Sequence, residues 1–427
     1  MNALLPDAMP HAMYKTLSPL FPSLCALPFL AAALGGCSEE HVVYHRLDAS
    51  PWGPQCTEPG VPDGGVGYVT NSLMNSVSEL DLAAGVVRGT HPVGVGPLAE
   101  NGPHHLALDL TLGLLYSPLS FPAAAISAGP HAEHGSSQTP GIFVKRSLCD
   151  YRLLGQVDVD PNPGDMVLSP DRRTAYVSHF DLRRAQSNVG DPERQKSNLI
   201  VIDTATMTRT ATIPVCVAAH GMAISPDGRT VFLACYGDDA LGVVSFAGSV
   251  PTVRLAYLNN SPPANTTSPS YGPYSLAISP DGSSVWLGCA VANVLIAYDV
   301  AAGAFDPARI TRRLPGKAWF PGFSPDGSTL VVPTQGRDSV TRIATGAGLA
   351  LRDQRYFTPD ECVLPHQVAY GPDGFYYLVC EGRHATDPAR SQSGNVLVLH
   401  PDDLHTVRSF TVGVFPDAIV FARGSRP

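Results

Sequence analysis

The chain has 427 residues, of which 44% are apolar and only 15% charged, and its net charge is −9 at neutral pH. This composition supplies ample material for a core, and the lack of any long basic run argues against nucleic acid as a partner. Gly and Pro number 40 each, which suits many short strands joined by turns rather than long helices.

In chain order, the first element is an address. Lys15 precedes an apolar stretch from Leu17 to Leu34, which ends in Leu34-Gly35-Gly36-Cys37. A basic residue, a short apolar core and small residues before a cut make a secretory signal. Pro19, Pro22 and Pro28 spoil the stretch as a core helix, and it is too short and broken to read as a membrane span. The Leu-Gly-Gly-Cys ending resembles the lipobox of bacterial lipoproteins. That resemblance implies removal of residues 1–36 and lipidation of Cys37. With Ser38 following, it implies an outer-membrane lipoprotein that faces the periplasm or the cell surface. Residues 37–65 then form the lipidated end and a linker. The alternative is a buried apolar segment with a chance cysteine. Residues 1–12 carry Asp7 and no basic residue, so Met13 is a candidate initiator.

From residue 66 to 424 the chain repeats. Short turns occur at Ser169-Pro170-Asp171-Arg172, Ser225-Pro226-Asp227-Gly228, Ser279-Pro280-Asp281-Gly282, Ser324-Pro325-Asp326-Gly327 and Gly371-Pro372-Asp373-Gly374, with starts 56, 54, 45 and 47 residues apart. A period of this size marks a repeat architecture. Each turn separates two short apolar runs and therefore tips a β-hairpin. The runs before the turns, with earlier and later copies at His105–Leu108 and Asp417–Phe421, make seven inner strands. Runs such as Thr230–Cys235 and Ser284–Cys289 are second strands, and Asn198–Asp203 and Asn395–Leu399 are third strands. Ala211–Val215 reads as a fourth. The expected fold is all-β: a seven-bladed β-propeller. Gly67–Asn71 reads as a second strand without a first, and Pro416–Phe421 as a first without a second. The C-terminal strand is therefore expected to close the first blade, which removes two free sheet edges.

The run Tyr68-Val69-Thr70-Asn71, with the Ser-Pro-Asp-Gly turns, resembles the YVTN-type β-propeller repeat proteins of prokaryotes over roughly residues 60–424. The resemblance implies the fold and an exported or surface location, and says little about activity. The Asn that ends the motif is kept only at Asn71. His179, Cys235, Cys289 and Cys380 stand at the equivalent position of later blades.

Antiparallel pairing places the start of each first strand and the end of each second at one end of the propeller, opposite the turns. On this map His91, His104, His105, His131, His134, His179, His220, His366 and His384 share one face. So do insertions at about 119–140, 181–197 and 382–394, carrying Arg183, Arg184, Arg194, Lys196, Arg383 and Arg390. Asp165, Asp181, Asp238, Asp239 and Glu381 are the acidic neighbours. Binding residues concentrate on loops held by a rigid scaffold. The bland account is that longer loops collect polar residues by length alone. The candidate ligand-binding set is His104, His105, His179, His220, His366, His384, Asp165, Asp238 and Glu381.

Nine cysteines are present, and removing Cys25 and Cys37 leaves an odd count. Cys216-Val217-Ala218-Ala219-His220 precedes a hairpin ending at Cys235, and Cys362-Val363-Leu364-Pro365-His366 precedes one ending at Cys380. Counting back from the turns puts His220 opposite Cys235 and His366 opposite Cys380. Export and the duplicated spacing point to disulfides Cys216–Cys235 and Cys362–Cys380 within their blades. Buried thiols are one alternative, and a zinc or copper site of two thiolates and an imidazole is another. Cys56 and Cys149 are a candidate pair. Cys289 has no partner in its blade.

No Gly-x-Ser-x-Gly elbow, Walker loop, His-Glu-x-x-His helix or Cys-x-x-Cys-His haem signal is present. Gly102-Pro103-His104-His105 resembles, over four residues only, lactonase-type seven-bladed propellers. Two function classes follow. The favoured one is a monomeric, membrane-anchored binding or scaffolding protein, without cofactor, that takes a protein or small molecule on the histidine-bearing face. The other is an enzyme, a lactonase-like hydrolase or a metal-dependent oxidoreductase, with its site at the mouth of the central channel. The anchor is tested by Cys37→Ser, which should move the protein from the membrane to the soluble fraction on cell fractionation. Membrane retention equal to the parent's contradicts lipidation.

Overall fold

The computed structural model describes residues 64–95, 101–120, 137–310, 314–346, 349–383 and 392–423. Cys37, Cys56, His131, His134, His384 and Arg390 lie outside them. The described chain forms seven antiparallel sheets, each a blade. The first blade orders Pro416–Ala422, Val66–Asn71, Ser76–Asp81 and Val86–Pro92. Val66 to Asn71 pairs with the C-terminal strand in antiparallel register, Tyr68 opposite Val420. The ring is therefore closed as expected.

The other blades follow in chain order. In each, the innermost strand comes first and the outermost last. The second blade starts from the broken strand Gly102–Pro103 and Ala107–Asp109, the third from Pro163–Leu168, and the fourth from Ala219–Ile224. The fifth starts from Pro273–Ile278, the sixth from Lys317–Ala318 and Gly322–Phe323, and the seventh from Pro365–Tyr370. These first strands neighbour one another around the axis.

The core lies between adjacent sheets, so inner strands are apolar on both faces. Tyr176, Leu199 and Val201 of the third blade pack with Met222, Val231 and Leu233 of the fourth. Closure uses the same packing: Val69, Leu80 and Ile419 of the first blade meet Tyr377, Val379 and Phe410 of the seventh. Asn71 adds a polar latch. Its amide donates to the Ser76 and Ser78 hydroxyls at 3.1 and 3.0 Å, and its oxygen accepts the Gly413 N–H at 2.9 Å.

The turns show why their residues recur. In the fourth blade the Ser225 hydroxyl donates to the Asp227 carboxylate and accepts the Thr230 N–H at 2.9 Å. Gly228 closes the turn at φ +72°. The copies at Ser279 and Ser324 repeat each bond. Arg172 occupies the glycine position of the first copy at φ 62°, a conformation costly for a residue with a Cβ.

A second repeated feature sits at the opposite end. Every inner hairpin contains one extra residue on its first strand. Between Ala219↔Cys235 and Met222↔Leu233, three steps on the first strand face two on the second. The same excess of one separates Val69↔Ile419 from Asn71↔Pro416, Val177↔Met166 from His179↔Pro163, and Pro273↔Cys289 from Ser275↔Gly288. It recurs between Pro365↔Cys380 and Gln367↔Val379, and across the breaks in the second and sixth blades. This is a β-bulge in all seven blades. A bulge bends its strand and re-aims a side chain. It also corrects the expected register: Ala219, not His220, faces Cys235, and Pro365, not His366, faces Cys380.

Both expected disulfides form, Cys216–Cys235 and Cys362–Cys380. Neither lies within one sheet. Cys216 ends the outermost strand of the third blade, Thr208–Val217, so its bond to Cys235 joins two blades. Cys362 lies in the connection entering the seventh blade. Closing loops of 19 and 18 residues stabilises by about 3 kcal/mol each in the chain-entropy account. The bonds also remove the thiolate-and-imidazole metal site as an alternative. Cys149 is disulfide-bonded too. Cys289 is buried and is the free cysteine among the described residues.

Candidate functional site

The seven bulges deliver one set of side chains to the axis. His104 and His105 come from the second blade and Asp165 from the third. His220 comes from the fourth, Tyr274 from the fifth, Trp319 and Phe320 from the sixth, His366 from the seventh and Asp417 from the closing strand. All are buried. The His104 ring lies 4.6, 5.2 and 5.8 Å from those of His105, His220 and His366, centroid to centroid. Phe320 fills the space between, 4.7 Å from His105 and 5.2 Å from His366. Tyr274 stacks on His220 at 3.8 Å.

Backbone groups freed by the bulges are retrieved by small hydroxyls. Thr70 Oγ1 donates to the His104 carbonyl at 3.0 Å, Ser117 Oγ to that of His105 at 2.6 Å and Ser178 Oγ to that of His220 at 2.5 Å. Buried polar groups left without such partners would each cost on the order of 1–3 kcal/mol.

Three carboxylates accompany the rings. Asp165 Oδ1 lies 3.1 Å from His105 Nδ1 and accepts the Met166 N–H, while Oδ2 accepts the Met222 N–H at 2.8 Å. Burial pushes its carboxyl up to about 7, against those backbone bonds, which favour the ionised form. Asp417 accepts the Ser72 hydroxyl and lies 3.8 Å from His104 Nε2. Burial, and then the like charge of Glu381, raise its carboxyl well above the usual range. Glu381 Oε1 accepts from Gln335 Nε2 at 2.7 Å and lies 4.0 Å from His366 Nε2.

Of the residues expected on this face, His104, His105, His220, His366, Asp165 and Glu381 meet at the hub, but as a buried cluster. His220 and His366 do not face the surface, because the bulge turns both rings onto the axis. His179 does not join them. It pairs opposite Pro163, and its Nδ1 donates to the Asn198 carbonyl at 2.8 Å. Asp238 accepts the Val217 N–H at 2.7 Å and holds a blade connection. Asp239 accepts three backbone N–H groups from Ser270 to Gly272. Asp181 caps the short helix Leu182–Ser187. His91 belongs to an outermost strand and stacks on Tyr151 at 3.8 Å.

Asp417, Tyr274, Trp319, Phe320 and Gln335 were not singled out from the sequence. A signal for two of them exists. Pro103-His104, Pro273-Tyr274, Pro365-His366 and Pro416-Asp417 repeat a proline followed by the axial residue. Pro fixes φ at the strand entry and needs no hydrogen-bond partner there. The residue before the entry is left-handed in five blades: Asn162, Ala218, Gly272, Leu364 and Phe415.

No protein-family model and no curated protein sequence matches the chain. Solved structures match in fold. A putative 6-phosphogluconolactonase from Bacteroides uniformis is 14% identical, with 84% of this chain and 100% of that one covered and a TM-score of 0.60. The periplasmic gluconolactonase PpgL of Pseudomonas aeruginosa is 19% identical, with coverage of 84% and 99% and a TM-score of 0.61. The hydrazine synthase of Kuenenia stuttgartiensis is 17% identical, covers 80% and 94%, and has a TM-score of 0.56. At these identities the likeness is one of fold, the propeller.

His179 yields a stability prediction. Burial lowers its pKa from 6.5 to about 4, outweighing the Asn198 carbonyl and Asp160, which favour the charged ring; Arg209 and Arg184 lower it further. The unfolded chain therefore takes up this proton below pH 6.5 while the folded chain resists until about pH 4. Stability from this group is full above pH 6.5 and falls as pH drops to 4, by on the order of 3 kcal/mol. Urea unfolding of the parent and His179→Gln at a series of pH values checks it. The difference between them should shift in the variant's favour by that amount from pH 7 to 4. A constant difference contradicts it.

Proposed function

We propose that the protein is a hydrolase of small, uncharged cyclic esters, of the polyhydroxylated lactone class, acting at the propeller hub. The observation that carries this reading is the convergence of four imidazoles with three carboxylates on the axis. A display surface for a protein partner would instead leave its polar groups dispersed and exposed, so the burial favours an enzyme over a scaffold. The names of two fold neighbours, a putative 6-phosphogluconolactonase and a gluconolactonase, agree with a lactone substrate, and the second with an unphosphorylated one. The enzyme is read as exported and tethered through Cys37, in line with the lipobox resemblance.

His105 is the proposed general base. A proton on Nδ1, which lies 3.1 Å from Asp165 Oδ1, puts the lone pair of the ring on Nε2. Nε2 takes a proton from water as its oxygen attacks the lactone carbonyl carbon. The ring C–O bond breaks, and the leaving alkoxide takes the proton. The products balance as one hydroxy acid from lactone plus water. Asp165 acts as a positioning residue, holding ring and tautomer as in acid–base dyads elsewhere. The pair keeps side-chain exposures of 7% and 8%, whereas His366 has none, so His105 and Asp165 form the less deeply buried end of the cluster. Among the described residues no Lys or Arg pairs with Asp165 or Asp417, so the cluster offers no fixed cation to a substrate phosphate.

A panel of aldonolactones and their phosphorylated forms tests this, with spontaneous hydrolysis subtracted. The parent should hydrolyse a neutral lactone, and His105→Gln should lower kcat by about 10²–10⁴ with little change in KM. Asp165→Asn should lower kcat less. Absence of turnover on every lactone, or an unchanged kcat in His105→Gln, contradicts the proposal.

A further inference from the structure

Three of the hub groups form a distinct set. His104, His366 and Asp417 each offer one ligand atom within 4.8 Å of the other two, and all three are buried. Each comes from a different blade: His104 from the second, His366 from the seventh and Asp417 from the first. His104 Nε2 and Asp417 Oδ1 are already 3.8 Å apart.

Their orientation is set from outside the set. His366 Nδ1 lies 2.7 Å from the main-chain oxygen of Asp417. A carbonyl only accepts, so Nδ1 carries the proton and the lone pair is on Nε2. Histidines that bind metals are held in this way, by a hydrogen bond from the other ring nitrogen. Asp417 Oδ2 accepts the Ser72 hydroxyl. Its other oxygen, Oδ1, is fully buried and has no hydrogen-bond partner among the described residues. A buried carboxylate oxygen without a donor is costly, and a cation is one partner that offsets the cost. Among the described residues no Lys or Arg lies within ion-pair distance of Asp417. Glu381 Oε1, fixed by Gln335, lies 4.0 Å from His366 Nε2 and supplies a second carboxylate beside the set.

We propose that His104, His366 and Asp417 bind one divalent first-row transition-metal ion, of which zinc is the type, with Glu381 beside it. The donors decide the class. Two imidazoles and a carboxylate suit zinc and its neighbours, whereas calcium and magnesium take oxygen-only sets. Cys216, Cys235, Cys362 and Cys380 are not ligands, since they are in disulfides. A tetrahedral ion with bonds of about 2.0–2.1 Å holds its donors roughly 3.3 Å apart, so the rings close in by side-chain rotation. The inference goes beyond the hydrolase reading and does not depend on it, because its readout is binding.

The test uses the full chain without a tag, stripped with a chelator and titrated with zinc chloride by calorimetry, with elemental analysis of the product. The expected result is one zinc per chain and a higher Tm. His366→Gln and Asp417→Asn should each weaken binding at least about 100-fold. A second cluster, His400, Asp403 and His405, is largely exposed at a hairpin turn. The double variant His400→Ala, His405→Ala should therefore keep full affinity. Absence of stoichiometric binding by the native chain overturns the proposal. So does binding abolished by the double variant and kept by Asp417→Asn. If the hub variants do not fold, X-ray absorption of the zinc-loaded native protein decides. Two imidazoles with a carboxylate in the shell support the site, and a shell without imidazole overturns it.

Discussion

One extra residue per inner hairpin is the constraint on which this molecule depends. Without it, a propeller strand alternates its side chains between the two neighbouring blades, and every inner position is apolar. The bulge adds a position that belongs to neither blade. Its side chain goes to the axis, and seven blades supply seven such positions. The chemistry of the hub is thus separable from the packing that holds the ring. Leu233 and Val379 can serve the core, paired with Met222 and Gln367, while the bulged residue beside them varies among His, Asp, Tyr and Phe.

Separation has a local cost. Each bulge disrupts the ladder and frees backbone groups in a place with little solvent. The hydroxyls of Thr70, Ser117 and Ser178 recover the carbonyls of His104, His105 and His220. Asp165 recovers two N–H groups. The same carboxylate then faces His105, so a group needed for the backbone also orients a ring. Asp238 and Asp239 carry the first half of that role only. They are acidic, buried and near the hub in sequence, yet their oxygens are taken up by blade connections. Burial and charge alone therefore do not separate a functional carboxylate from a structural one; its partners do.

The fold was legible because it rests on local chemistry that repeats. Ser, Pro, Asp and Gly each have a reason to occupy one place in the turn, and the two unmatched half-blades imply closure. The disulfide pairing was legible from spacing, though not its geometry, since Cys216 and Cys235 belong to different blades. The site was half legible. His104, His105, His220 and His366 were found as residue types at strand starts. Asp417 is hidden in what reads as a plain closing strand, and the one-residue bulge leaves no residue-type mark beyond the preceding proline. His179 ends a second strand at the same level as the hub residues, which makes it look alike in sequence. Second strands carry no bulge, so its ring stays within the blade.

The central claim is that ligand chemistry belongs to the bulged residues at the hub. Selective ¹⁵N labelling of histidine, with long-range imidazole spectra recorded while an aldonic acid product is titrated in, tests it most directly. The account predicts shifts confined to the rings of His104, His105, His220 and His366, with His179, His400 and His405 unmoved. Shifts confined to His400 and His405, or none at any hub ring at saturating acid, would contradict it.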